Sequence, residues 1–475
     1  MIKSTPTLLF LFICLFGLNA QKSKKDVLKK MDEQSEVYGE ISQEIWELAE
    51  VGYQEEKSSA LLQKTLKDAG FTINAGIAGI PTAFVAEYGT DGPILAVLGE
   101  FDALPGLSQQ AVPEKKSAGG IAGHACGHNL FGTASVAAAI AIKDWLNATN
   151  TKGRIRFYGT PAEEGGSGKV YMVREGVFDD VDVALHWHPG DENNANPFTS
   201  MANKSAKFRF SGVSAHAAGA PERGRSALDG VESMNLMVNM MREHIPQDAR
   251  IHYVITNGGK APNVVPDYAE VYYYARHFNR NVVIDVFDRI VKAAEGAAMG
   301  TGTTMEYEMI GGTYELLPNL TLQKVMYDNL VEVGGIEYTN EENIFGEQIV
   351  KSLGMDAIDD SKAETIQPYK TGTKINGSTD IGDVSFVVPT IGMIASTFVP
   401  GTPGHSWQAV AAGGTSIGKK GMMVAAKTIA LTAIDIYKDQ KLIEKAKAEF
   451  IEKRGKDFTY IPLLGNRPPA LDYRK

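Results

Sequence analysis

Residues 117–164 read SAGGIAGHACGHNLFGTASVAAAIAIKDWLNATNTKGRIRFYGTPAEE, and this stretch decides the fold. Its glycine-rich opening leads into LFGTASVAAAIAIKDWL, an alanine-rich amphipathic run that predicts a helix of roughly four turns at about 3.6 residues per turn. RIRFYG from Arg154 then predicts a strand, and a pair of glutamates follows it. Upstream, ILAVLGEFD from Ile94 predicts a buried strand ending at acidic residues, and residues 26–70, with ISQEIWELAE, carry helical spacing. Downstream, VDVALHWH from Val181 and VPTIGMIASTF from Val388 predict two further strands. PNLTLQKVMYDNLVEVG and IGKKGMMVAAKTIALTAIDIYKDQ predict helices between and after them. Strands alternating with helices predict an α/β fold with a doubly wound, mostly parallel sheet, which binds ligands at the carboxyl ends of its strands.

The pattern changes between residues 203 and 315. KFRFSG, RSALDGVESMNLMVNMMREH, RIHYVITNG, AEVYYYARHF, VIDVFDRIVKAAEG and TTMEYEMIGG follow one another as β-α-β-β-α-β. That order predicts a ferredoxin-like α+β domain inserted into the larger one, its two ends emerging close together. The expected division is therefore a signal peptide at 1–20, catalytic domain at 21–202 and 316–475, and an inserted lid at 203–315. A short proline-rich tail lies near Pro462 to Pro469.

With 475 residues, 44% hydrophobic and 22% charged, the chain has the composition of a soluble globular protein of two domains. Its net charge of -10 argues against a broad phosphate-binding surface, so no nucleic-acid partner is expected. Lys3 and an apolar run from Leu8 to Leu18, followed by Asn19-Ala20, read as a signal peptide cleaved near Ala20. The run is too short to span a bilayer, which takes about 20 residues, so export without a stable membrane anchor is expected. Cys14 sits inside that run and not after small residues, which argues against lipidation. Cys126 is the other cysteine, so the mature chain forms no internal disulfide and a free thiol needs either burial or a metal.

GHACGHN at 123–129 packs His124, Cys126 and His128 into five positions. On an extended segment alternate residues point the same way, so Cys126 and His128 could converge on one metal; a buried thiol among loop histidines is the other reading. Glu163 and Glu164 in TPAEEGGSG lie side by side after a core strand. If they face opposite ways, one carboxylate can hold a metal while the other takes a proton from water whose pKa the metal lowers from roughly 15.7 to about 7. His186 and His188 close the next strand, and His405 in GTPGHSW follows the last. Four strand ends that each deliver Cys, His or Glu are hard to explain by packing, and this donor set suits zinc or another first-row metal. GGSGK at 165–169 is not a nucleotide loop, because Glu163 replaces its first glycine and Val170 its Ser or Thr. GVSAHAAG at 212–219 lacks the G-x-S-x-G elbow of a serine hydrolase.

GEFDALP (99–105), GHACGHN, TPAEEGGSG, VDVALHWHPG, SAHAAGAPERGRSALD, STDIGDVS (378–385) and GTPGHSW together resemble the dinuclear metallohydrolase family of aminoacylases, carboxypeptidase G and N-acyl amino acid amidohydrolases. STDIGDVSFVVPT and GTPGHSWQ are most similar to the branch of that family that acts on p-aminobenzoyl-glutamate. The resemblance implies a metal-dependent amidohydrolase or metallopeptidase that cleaves the amide bond of N-acyl or N-aroyl amino acids. A dipeptidase or carboxypeptidase of the same fold, or a metal-binding, non-catalytic subunit of a heteromer, are its alternatives. It implies Glu163 as general base, and Cys126, His128, Glu164, His188 and His405 as ligands of two divalent ions, zinc or manganese. It also implies a lid that mediates a homodimer, or a heteromer with a related subunit, with His216 helping to stabilise the oxyanion and Asn263 and Arg276 binding the substrate carboxylate. Glu100 departs from the family's His or Asp before the position matched by Asp102. Asn129 departs from an Asp common in the amidohydrolase branch.

Overall fold

The computed structural model describes residues 23–475; the expected signal peptide lies outside them. Its principal strands, in chain order, are β1 (Thr72–Ala75), β2 (Phe84–Tyr88), β3 (Ile94–Gly99), β4 (Arg154–Gly159), β5 (Val183–Gly190), β6 (Ala202–Ser211), β7 (Arg250–Asn257), β8 (Tyr268–His277), β9 (Thr304–Thr313) and β10 (Thr390–Ser396). The larger sheet runs β1-β2-β4-β3-β5-β10. β4, β3, β5 and β10 are parallel, whereas β2 joins β4 antiparallel and β1 closes that edge as the partner of β2. β3, ILAVLG, is buried at every position, as an apolar run in the middle of a covered parallel sheet must be. The fold is a mixed α/β architecture with a mainly parallel sheet.

The β1–β2 hairpin has no counterpart among the sequence expectations, because β1 is four largely exposed residues without apolar alternation. The helix after the glycine-rich loop is also longer than expected, spanning His128–Thr149 over 22 residues. Gly127 at φ 76° starts it two residues early, and Asn150 at φ 51° ends it beyond the apolar run. Its buried alanines 134, 137, 138, 139 and 141 let it lie close on β3, β4 and β5. Helix Ser416–Lys438 packs beside it and covers β10.

The second sheet runs β7-β8-β6-β9, antiparallel throughout, with helices Ala227–Met241 and Arg280–Thr301 connecting its strands. That is the ferredoxin-like order. Phe208, Phe210, Val271 and Tyr273 face those helices and form a core separate from that of the larger sheet. The alternate residues Asn203, Ser205, Lys207 and Arg209 pair across to Arg276, Tyr274, Tyr272 and Glu270 on the opposite face. Among the described residues no helix is long and apolar enough to cross a membrane.

Candidate metal centre

Each parallel strand delivers polar side chains at its carboxyl end. Glu100 and Asp102 follow β3, Glu163 and Glu164 follow β4, His188 lies near the end of β5, and His405 is in the loop after β10. Cys126 and His128 join them from the start of the helix. Three overlapping sets result: Cys126, His128 and His188; Cys126, Glu164 and His405; and Glu100, His128 and Glu163. Within each set one ligand-type atom per residue lies within 4.8 Å of the others.

The convergence does not come from strand alternation, as the sequence had suggested. Cys126 lies in a turn and His128 in the first position of a helix, with Gly127 between them at φ 76°. A Cβ at Gly127 would stand 2.7 Å from Pro189, so both conformation and closeness require glycine. Glu163 and Glu164 likewise sit in a turn four residues beyond β4, entered through Ala162 at φ 56°. His405 adopts φ 58°, and its N–H donates to the carbonyl of Ala125 at 2.9 Å, tying the last loop to the cysteine turn. His124, by contrast, points away and donates through Nε2 to Ile45 O at 3.0 Å. His186 is buried elsewhere in the sheet with both ring nitrogens unpartnered, and burial depresses its pKa to about 3.

Acceptors on one side of each imidazole decide which nitrogen faces the centre. His128 Nδ1 lies 2.9 Å from Asp102 Oδ1 and 3.1 Å from its carbonyl, and His188 Nδ1 lies 2.7 Å from Pro189 O. Those groups accept, so Nδ1 carries the proton in both rings and Nε2 presents its lone pair inward. His188 Nε2 is 3.3 Å from Cys126 Sγ, and His128 Nε2 is 3.0 Å from Glu100 Oε2. His405 Nε2 stands 3.2 Å from Glu164 Oε1, and the Glu164 backbone N–H is fixed by Asp102 Oδ2 at 2.9 Å.

The charges are strongly perturbed. Burial, then the neighbouring Glu100, Glu164 and Asp380, hold the Glu163 carboxyl well above its ordinary pKa. Glu164 is held below its own, because the His405 hydrogen bond and the His128 and His405 charges outweigh burial. Burial pushes the Cys126 thiol up, while Cys126, Glu100 and Asp102 raise His128 against the effect of its burial.

The residues fit divalent metal ions. His128 Nε2 and Glu100 Oε2 are buried 3.0 Å apart and Glu164 Oε1 is buried 3.2 Å from His405 Nε2, and an inward imidazole lone pair facing a carboxylate needs a cation or a proton between them. A thiolate, imidazoles and carboxylates supply that cation's ligands. A thiol reagent is therefore expected to label Cys126 in chelated protein and not in metal-loaded protein. Because burial raises the thiol pKa, labelling of the chelated form should accelerate as pH rises. Equal labelling rates in the two forms, measured by mass spectrometry, would exclude coordination through sulfur.

Two residues that the motif reading did not assign complete the surroundings. Lys169 is fully buried, and its Nζ lies 2.6 Å from both Glu100 Oε1 and Asp380 Oδ1. These carboxylates keep its pKa above the ordinary lysine value despite burial. Both residues lay within quoted stretches, GGSGK and STDIGDVS; the signal was a lysine entering an apolar helix, where a charge must be paired.

The lid residues are not members of the three sets. His216 is exposed, and its Nδ1 accepts from the N–H groups of Ala218 and Gly219 at 3.2 and 3.0 Å. Exposed Asn263 runs beside it, its carbonyl accepting from Ala217 N at 3.0 Å. Arg276 lies on the polar face of the lid sheet, its guanidinium 5.1 Å from the centre of the Tyr274 ring and its Nε buried without a partner.

Cys, His and paired carboxylates gathered at the ends of parallel strands define a metal-dependent hydrolase. Residues 96–409 match the model of Peptidase family M20/M25/M40, and the chain belongs to that family. It is an enzyme that cleaves amide bonds. It is 42% identical over 462 residues to a p-aminobenzoyl-glutamate hydrolase chain of Escherichia coli (strain K12), covering 91% of this chain and 96% of that one. It is 30% identical over 443 residues to the Xaa-Arg dipeptidase of Mus musculus, covering 90% and 92%. The fold matches that of a Bacillus subtilis dinuclear metal-binding peptidase from the M20 family with a TM-score of 0.58 and 17% identity, over 87% of this chain and 99% of that one.

Proposed function

We propose that the chain hydrolyses the amide bond of N-acyl or N-aroyl amino acids, p-aminobenzoyl-glutamate among them, with two divalent ions, zinc or manganese. The observation that carries this reading is the meeting of Cys126, His128, Glu164, His188 and His405 beside the raised-pKa carboxyl of Glu163. Those five side chains hold the ions, which when bound supply Lewis acidity toward a carbonyl and lower the pKa of water. Glu163 takes the proton from the attacking water and delivers it to the departing nitrogen, giving a carboxylic acid and an amine. Arg276, with an unpartnered Nε, is suited to grip a substrate carboxylate, and Asn263 assists it.

His216 donates to the developing oxyanion from the lid of a neighbouring protomer. Support for a homodimer comes from edge strand β7, whose Tyr253, Val254 and Ile255 are exposed beside exposed Leu236, Met237 and Met240. That the bacterial relative is one of two kinds of chain named for the same hydrolase supports a heteromer instead. Light scattering of the purified chain distinguishes these, and a monomer active on its own would remove the role in trans. Export with cleavage near Ala20 is tested by the N-terminal mass of the mature protein; an intact Met1 would refute it.

The 30% identity to an Xaa-Arg dipeptidase favours one second reading, cleavage of dipeptides with a basic carboxyl-terminal residue. The chain purified alone, chelated and reloaded with zinc or manganese, should be assayed on p-aminobenzoyl-glutamate, N-acyl amino acids and Xaa-Arg dipeptides. Activity on the first two classes is the expected result. Activity confined to dipeptides would select the second reading, and none at all without a partner would select a chain that works only within a heteromer.

A further inference from the structure

The C-terminal segment ends at the turn that carries the two adjacent glutamates. Leu463 and Leu464 are buried, and Arg467 then donates to the carbonyls of Met309 and Ile310 on lid strand β9, the second at 3.0 Å. The carbonyl of Arg467 accepts from Arg174 at 2.8 Å, and that of Leu471 accepts from Gln54 at 2.8 Å. Two residues later Tyr473 Oη and Arg474 Nη2 both donate to the carbonyl of Glu164, at 3.0 and 2.9 Å. Tyr53, which meets the Tyr473 ring edge-on at 5.6 Å, donates to the carbonyl of Gly166 at 2.7 Å. Three side chains thus hold two carbonyls of one short turn.

That turn needs holding. It enters through Ala162 at φ 56° and passes Gly165 at φ 94°, and the backbone bonds that close it, Gly165 N–H to Glu163 O at 2.6 Å and Gly166 N–H to Ala162 O at 3.0 Å, leave the carbonyls of Glu164 and Gly166 to those side chains. The surroundings make room for the tail, since a Cβ at Gly52 would lie 2.2 Å from the Tyr473 hydroxyl.

We propose that the tail is a strap in which Tyr473 and Arg474 are positioning residues. They fix the backbone at Glu164, and so set the directions of Glu163 and Glu164. This rests on the proposed roles of those two glutamates, and it adds that the last residues of the chain act on the reaction through them. Side chains that orient metal ligands from behind commonly change affinity or activity by about 10–100-fold when removed.

The test is a Tyr473→Phe/Arg474→Ala double variant compared with Arg474→Lys and wild type in the full chain. Each is assayed for kcat and KM on an amide that the wild type cleaves, for its zinc dissociation constant by chelator competition, and for its thermal midpoint. The strap predicts kcat lower by about 10–100-fold, KM within about threefold, and weakening of one zinc site by about tenfold. The thermal midpoint should move little, and Arg474→Lys should retain most activity because one donor remains. Values of kcat and zinc affinity within about twofold of wild type would overturn the proposal, as would a raised KM at unchanged kcat. Equal impairment of Arg474→Lys with a large fall in thermal midpoint would also overturn it, by showing a merely structural tail. If the wild type cleaves no amide, the proposed function fails, and the zinc dissociation constants still judge the strap.

Discussion

A Glu163→Gln variant is expected to lose turnover by at least about a hundredfold while keeping its fold and its bound metal. Gln preserves the shape of the side chain and removes the group that accepts a proton. The five proposed ligands, Cys126, His128, Glu164, His188 and His405, remain in place. The loss should fall on kcat, because proton transfer belongs to the transition state and not to substrate binding. Burial beside Glu100, Glu164 and Asp380 holds the Glu163 carboxyl high, and a base with a raised pKa also returns its proton readily to the leaving nitrogen. Steady-state kinetics with metal analysis of the same sample checks this. Near-normal kcat with full metal occupancy would remove Glu163 from the chemistry.

Replacing Lys169 with Met should strongly destabilise the fold. The ammonium is fully buried between Glu100 and Asp380, so its removal leaves carboxylates without their counter-charge. Breaking a buried ion pair from one side costs about 3–5 kcal/mol. Asp380 Oδ2 also accepts from the Lys169 backbone N–H at 2.9 Å, joining the start of helix Gly168–Arg174 to the segment before β10. The folded pKa of Lys169 lies above its unfolded value, so the stabilisation is full through neutral pH and is lost only as pH rises through the folded pKa. A lowered denaturant midpoint, partly recovered by adding Asp380→Asn, is the expected result. An unchanged midpoint in the single variant would show that the triad contributes nothing to stability.

The sheet was legible because β3 is a continuous apolar run, the other parallel strands are short segments rich in apolar and aromatic residues, and the helices keep a clear period. The β1–β2 hairpin was not, since the four largely exposed residues of β1 carry no pattern. The donor residues were legible as types at strand ends, yet the way they meet was not. Left-handed backbone at Gly127, Ala162 and His405 brings them together, and no periodicity encodes a single turn. Lys169, Asp380, Tyr473 and Arg474 escaped for another reason. Their partners lie far away in sequence, Asp380 at 211 residues from Lys169 and Arg474 at 310 from Glu164. Only tertiary structure reveals such pairings.

Anomalous diffraction from crystals of the zinc-loaded protein, recorded on both sides of the zinc absorption edge, tests the central claim most directly. Two peaks contacted among them by Cys126, His128, Glu164, His188 and His405 are the predicted result. Zinc bound at other residues, or no zinc at these five in protein shown to be loaded, would contradict it.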